Sequence, residues 1–440
     1  MTTEKREQIG IMTINLKRGY IWNTVAGILN ASEAIIMSMI VTRMMSLADA
    51  GILSIAFTIA NQLVLIGKFG LRNYQVTDVG GQFSFSIYLK TRVVTVTGMM
   101  LCTGAYLGYA AVFLEYNKNK ILIIFVLCMI YAVEAVEDVI WGYYQQRHRL
   151  DLGAQMFCVR WMGILLTFPT VLYISRDLKT TLAICLFVSL LLFFLFVKIT
   201  YPYICCENEA NVNIFICKKD YQQMGKLLKT AFPLCGISVL QCYVGSAPRY
   251  AIDACLTDEV QACYGFVSMP VFAIRLLSNF IYQPLLVPMA VEWENRQIKS
   301  FTGRVGKQLL VVAGLSVICL AGTYWVGIPV LSALYHTNLS EYKAELLILL
   351  LGSGFMACVA YENVVLTIMR CQKVLLGPYC LVSFIAAVVL RPVVSLYGTL
   401  GASVCYFIFM ATLFLIYTNF LFRRLKKCKV HILIRFLSLL

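Results

Sequence analysis

The sequence predicts an all-α integral membrane protein of about twelve transmembrane helices, arranged as six plus six. Three observations predict it. Sixty per cent of the 440 residues are hydrophobic and 13% are charged, where a soluble domain carries roughly 25% charged residues; the mean hydropathy is +0.78. Apolar runs recur from Gly19 to Phe422, each near the ~20 residues that cross a ~30 Å hydrocarbon core as a helix. Finally, the basic residues gather in alternate connections, the positive-inside pattern of polytopic chains.

The first span, 18–43, follows Lys5, Arg6, Lys17 and Arg18 and lacks a small-residue cleavage site, so it reads as a retained helix and not a secretory leader. Spans at 48–70, 92–114, 121–145, 152–175 and 180–200 complete an N-terminal lobe, 1–203. The polar stretch from Pro202 to Lys229 is the longest break and supplies a cytoplasmic linker, 204–228. A C-terminal lobe, 229–422, follows with spans at 229–250, 260–290, 306–328, 343–370, 374–395 and 398–422. The tail, 423–440, alternates basic and apolar residues and is expected to lie along the inner leaflet as an amphipathic helix.

With the N-terminus inside, the inner connections and tail include nineteen Lys and Arg, from Lys5 to Arg435, against eight outside, from Arg43 to Arg391. That bias accounts for most of the net charge of +15. It predicts both termini in the cytoplasm of a multi-pass protein of the cell membrane, and it argues against a nucleic-acid partner, which would want its basic residues on a folded soluble face.

The halves echo one another. Gly51-Ile52-Leu53-Ser54-Ile55-Ala56 opens the second span with the rhythm of Ala262-Cys263-Tyr264-Gly265-Phe266-Val267 in the eighth. Glu137-Asp138-Val139-Ile140 in the fourth is matched by Glu362-Asn363-Val364-Val365 in the tenth. The offsets, 211 and 225 residues, differ by what loops absorb. An even number of helices per half relates the halves by an axis along the membrane normal, a transporter arrangement.

Enzymes fit poorly. No GxxxxGK[ST] phosphate loop occurs, the outer loops are too short for a catalytic domain, and His148, His336 and His431 are scattered. Seventeen cysteines lie mostly in apolar segments, without a CxxC pair or zinc-like spacing, so neither a metal site nor a cofactor is expected.

Ionisable residues at membrane depth carry the functional signal, since each costs roughly 2.5–3.5 kcal/mol on insertion scales. Arg275 lies on one helical face with Asn279 and Gln283, in a segment interrupted by Pro270, Pro284 and Pro288. Such a stripe suits a cavity for an anionic group; alternatively the arginine caps carbonyls freed at the kinks. Glu134 reaches Glu137 and Asp138 at i+3 and i+4, a cluster suited to coupling an ion or to pairing with Arg160 in the next span. Glu33 aligns with Asn30, and Asn61 and Gln62 extend a polar stripe from Ser54 and Thr58. These groups either line a cavity for a polar substrate or join helices by hydrogen bonds. Glu33, the Glu134–Asp138 cluster and Glu362 are the ion-coupling candidates.

Three local patterns, beside the six-plus-six layout, resemble the oligosaccharide flippase (polysaccharide transporter, Wzx-like) family, in the superfamily that also holds multidrug and toxin extruders and lipid II flippases. They are SLADAGILSIA at Ser46–Ala56, WGYYQQR at Trp141–Arg147 and PRYAIDACLTDEVQACYGF at Pro248–Phe266. Pro248 stands where relatives place a polar or acidic residue beside the arginine, so no site role is carried to Arg249. The resemblance implies a two-lobed bundle around a central cavity exposed alternately to each side. It implies a polyprenyl-diphosphate-linked oligosaccharide as substrate, moved to the outer leaflet for cell-surface polysaccharide. Arg275 and then Arg160 are the cations it would use, with Asn279, Gln283, Asn30, Asn61 and Gln62 lining the cavity. Membrane lipids, a glycan polymerase and glycosyltransferases are the implied partners. Two alternatives stay open: an ion-coupled small-molecule or drug extruder of the same superfamily, and a scaffold for glycan enzymes.

Overall fold

A computed structural model describes the backbone of residues 3–78, 81–147, 149–205, 218–271, 274, 277–278, 285–369, 371 and 373–437, with side chains over 18–200, 220–271, 285–369 and 374–426 apart from isolated positions. The described parts of every predicted span are helical over most of their length. The helices are α1 (Thr3–Met44), α2 (Leu47–Lys68), α3 (Leu71–Thr77), α4 (Phe85–Phe113), α5 (Lys118–Gln146), α6 (Leu150–Ser175), α7 (Leu178–Cys205) and α8 (Lys218–Cys255). They continue as α9 (Asp258–Val267), α10 (Leu286–Glu294), α11 (Ile298–Tyr335), α12 (Lys343–Ile368) and α13 (Lys373–Leu437). Among the described residues, nine helical stretches are long and apolar enough to cross a membrane.

Local chemistry sets the helix ends. Ser46 and Asp49 form a reciprocal capping box at the start of α2, which satisfies N–H groups that a helix terminus leaves open. At its other end Phe69 and Gly70 both take the left-handed conformation, φ 49 and 67, turning the chain into α3; a Cβ at Gly70 would also crowd Leu234. Asn117 caps α5 by accepting from the Lys120 N–H at 2.8 Å. The 65 residues of α13 hold two helices, divided at Gly398 with φ 59 and ψ −144, a conformation essentially open to glycine alone. Within the predicted eighth span, 260–290, α9 ends at Val267, Ser268 forms a turn, and Met269, Pro270, Val271, Ile274, Leu277 and Ser278 are helical ahead of α10.

The contacts gather into two compact units, Met1–Val239 and Leu240–Leu440, and the boundary falls within α8. In the first unit α5 is central: α2, α3, α4, α6 and α7 all pack against it, while α1 packs on α2 and α6. Its core joins Leu71, Ile87, Tyr88, Val139, Tyr143 and Tyr144 to Met224, Leu227 and Ala231 at the start of α8. In the second unit α12 packs against α11 and α13, and α10 against α11. Large apolar side chains point outward in both, among them Leu101, Phe113, Phe187, Ile318 and Trp325; this inverts a soluble surface and fits a hydrocarbon surround.

Candidate functional site

The first unit holds a charged network at the heart of its bundle. The i, i+3, i+4 spacing turns Glu134, Glu137 and Asp138 of α5 toward neighbouring helices, and each finds cations there. Glu134 accepts from Lys68 Nζ of α2 at 2.8 Å, from Arg160 Nη2 of α6 at 3.3 Å and from the Trp161 indole at 3.1 Å. Glu137 accepts from Arg160 Nε at 2.7 Å, and Arg160 Nη1 reaches Ser189 of α7 at 3.4 Å. Asp138 accepts from Arg92 Nη2 of α4 at 2.8 Å and pairs with Arg72 of α3 at 3.7 Å. Arg92 Nη1 also donates to the Gly67 carbonyl, which accepts from Thr95 Oγ1 at 2.8 Å as well. Five helices around α5 are thus tied to it, or to each other, by charge.

Of the two roles the sequence leaves open for Arg160, pairing with the acids of α5 and holding substrate, the contacts seen are those of the first. Arg160 is only 1% exposed, and two carboxylates one helical turn apart occupy its guanidinium edges, so it cross-links α5, α6 and α7. The acidic cluster pairs with arginine and lysine; among the described residues no group of three or more His, Cys, Asp or Glu is disposed to hold a metal.

Glu33 of α1 differs from these acids. It is 2% exposed; Oε1 accepts from the Tyr131 hydroxyl at 2.6 Å, and Oε2 has no hydrogen-bond partner among the described residues. Asn61 reaches the same Tyr131 oxygen at 3.4 Å and the Phe57 carbonyl at 3.0 Å. Because Asn61 is exposed, a chain of side chains leads from the surface of the unit through Tyr131 to a buried carboxylate. Gln62 bonds the Val239 carbonyl at 2.8 Å, a helix-joining role, and Asn30 is exposed. In the second unit Glu362 is 0% exposed and accepts from Thr418 at 2.5 Å, while Asn363 donates to Tyr379 at 2.8 Å. The sequence echo between Glu137 and Glu362 therefore joins an ion-paired acid to one bonded to a neutral hydroxyl. Arg275, Asn279 and Gln283 lie outside the described residues.

Beside the network, at the end of α2, lies a polar cavity of about 500 Å³. Lys68, Arg72, Asn73, Thr77, Asp138, Gln145 and Ser238 line it, over Leu65, Gly70 and Val76. Arg72 is oriented by Gln145 Oε1, which accepts from Nη2 at 2.9 Å, and by the Trp141 ring, 4.0 Å beneath its guanidinium, a cation–π contact. Sequence reasoning missed Lys68 and Arg92 as interior charges and counted Arg72 only as a loop residue. Lys68 lies inside the predicted span 48–70, so the rule that marked the acids would have marked it too.

No family model matches the sequence, and no curated protein matches it. Solved structures do. A multidrug resistance MATE family transporter of the MOP superfamily, in its inward-facing conformation, aligns with a TM-score of 0.70 at 8% identity, covering 91% of this chain and 95% of its own. The lipid II flippase MurJ in an inward closed conformation aligns at 0.66 and 12% identity, over 93% and 90%. A MOP superfamily transporter from Pyrococcus furiosus, described as having a binding pocket of reverse polarity, aligns at 0.57 and 10%, over 95% of each chain. At these identities the likeness is one of fold: an all-helical transporter fold in two units, shared by MATE transporters and MurJ. The proteins so matched are transporters and a flippase.

Proposed function

We propose that the protein is a flippase that carries polyprenyl-diphosphate-linked oligosaccharide from the inner to the outer leaflet of the cell membrane by alternating access, for cell-surface polysaccharide. The observation that carries this reading is the cavity at the end of α2. Its lining brings an ammonium, a guanidinium and one carboxylate, with the amides of Asn73 and Gln145 and the hydroxyls of Thr77 and Ser238. A diphosphate is met by the fork of Arg72 and the point charge of Lys68, and sugar hydroxyls by the neutral groups. With the N-terminus in the cytoplasm, α2 runs inward, so its Lys68 end opens where lipid-linked sugars are made. Glycosyltransferases would supply the substrate and a polymerase would consume it. The likeness to a lipid II flippase supports a lipid-linked cargo.

The test is binding to the purified protein. A polyprenyl-diphosphate oligosaccharide should bind, and Lys68→Ala with Arg72→Ala should weaken it by about tenfold or more per residue, since a hydrogen bond to a charged group contributes roughly 1.5–3 kcal/mol. Binding of cationic drugs, with none of the lipid-linked sugar, would reject the reading.

A specific observation favours a second reading, an ion-coupled extruder. Glu134 and Glu137 are paired with Lys68 and Arg160, whereas Glu33 is bonded to the neutral Tyr131 hydroxyl and its Oε2 has no hydrogen-bond partner among the described residues. A proton taken up by Glu33 past Asn61 and Tyr131, and released on the other side, would power export in exchange. The likeness to a multidrug transporter supports this reading to the same degree.

A further inference from the structure

The second unit contains a small cavity that neither reading uses, about 40 Å³ in volume, walled by α8, α9, α12 and α13. Its polar lining is Ser246, Arg249, Tyr264, Ser268 and Tyr406. Among the described residues no carboxylate lines it. We propose that this cavity is a binding site for a small monovalent inorganic anion, chloride in the cell, held by Arg249, Tyr264 and Ser246.

Three features carry the assignment. The guanidinium is positioned: Arg249 Nη2 donates to Ser268 Oγ at 2.5 Å, and that hydroxyl donates onward to the Gly265 carbonyl at 2.8 Å. Ser268 is thereby spent as an acceptor for the arginine and fixes its plane at the cavity wall. Next, the Tyr264 hydroxyl is 1% exposed and, although Ser403 is near, has no hydrogen bond of good geometry among the described residues. A buried hydroxyl without a partner costs free energy, and an anion in the cavity that this residue lines would accept from it. Ser246 adds a second hydroxyl that can donate. Glu345 accepts from Thr399 at 2.8 Å and stands outside the lining.

Size selects the ligand. A water needs roughly 10–15 Å³, so about 40 Å³ holds a monatomic ion with one or two waters. A drug-sized or sugar-bearing ligand needs roughly 300 Å³ or more. One fixed cation suits one negative charge, and a hydroxyl-and-guanidinium lining suits a weakly hydrated halide, whose shell is readily exchanged for such donors.

The experiment uses the purified full-length protein in detergent. Its unfolding temperature is followed as sodium chloride or bromide replaces sodium gluconate at constant ionic strength, and crystals grown in bromide are searched for anomalous scattering. The proposal expects a saturable rise with either halide, half-complete in roughly the millimolar range, and a bromide peak between Arg249 and Tyr264. Arg249→Gln should abolish the halide response, and Tyr264→Phe should raise the half-saturating concentration by about tenfold. A merely structural arginine would lower the unfolding temperature equally in halide and gluconate. No halide response in the wild type, or the wild-type response retained in Arg249→Gln, overturns the proposal. Should Arg249→Gln fail to fold, Tyr264→Phe decides alone: an unchanged half-saturation also overturns it.

Discussion

Replacing Arg160 with methionine removes the group that pairs with Glu137 and shares Glu134 with Lys68. Arg160 and Glu137 are each 1% exposed, Arg160 Nε meets Glu137 Oε2 at 2.7 Å, and Glu137 Oε1 has no hydrogen-bond partner among the described residues. Deleting one member of a buried pair leaves the other charge uncompensated, typically at a cost of about 3–5 kcal/mol. Unfolding entropy near 2.1 cal/mol/K per residue, applied to the unit Met1–Val239, gives ~0.5 kcal/mol/K. The unfolding temperature should therefore fall by roughly 6–10 °C. Arg160→Met with Glu137→Gln removes both charges of the contact and should recover much of that loss. Arg160→Lys should recover less, because one ammonium cannot span the two carboxylates that Nε and Nη2 reach at 2.7 and 3.3 Å. Fluorescence-detected size-exclusion after heating measures all three. A loss under about 2 °C for Arg160→Met, or a double variant no better than the single, would refute the view that this pair is mutually neutralising.

Further outcomes follow from other sites. Gly153→Ala places a Cβ 2.0 Å from Trp141 Cδ1, so thermal stability should drop by about 1–3 kcal/mol and the Arg72–Trp141 stack should shift, seen as altered tryptophan emission; unchanged emission and stability would count against the packing described. Glu33→Gln should leave folding nearly intact, since a neutral amide can still accept from Tyr131, but should remove any dependence of transport on a proton gradient, measured with an imposed pH step in liposomes. Arg304 donates to Glu292 at 2.6 and 3.0 Å and these bonds hold the Glu292 carboxyl below its usual range. A depressed folded-state value stabilises above the unfolded pKa of about 4.3, and that contribution is lost as pH falls through the folded value; Arg304→Gln should flatten the acid limb of a stability–pH curve between about pH 5 and 3.

Much of the fold was legible because bilayer solvation imposes one rule on every segment, and that rule is read by length and hydropathy alone. Hence 152–175 was found as Leu150–Ser175. The segment from 260 to 290 was harder, because its prolines and polar stripe break the pattern that reports a simple helix. Partners were less legible than charges. The spacing of Glu134, Glu137 and Asp138 marked a cluster, and Arg160 was foreseen as a partner, but Lys68, Arg72 and Arg92 come from three other helices and no single-helix period relates them to α5. The sequence leaves Arg160 open between substrate and pairing because its two carboxylates, 23 and 26 residues away, meet it only once α5 and α6 pack. The cavity beside Lys68 depends on the left-handed turn at Phe69 and Gly70, which aims α3 and Arg72 back toward α5.

Translocation itself tests the central proposal most directly. Purified protein is reconstituted in liposomes that carry a polyprenyl-diphosphate oligosaccharide in one leaflet, and the sugar's accessibility from the other side is followed with time. The account predicts faster crossing than in protein-free liposomes, lost when Lys68 and Arg72 are both alanine while the protein remains folded. No acceleration with several glycans, under either a proton or a sodium gradient, would contradict it.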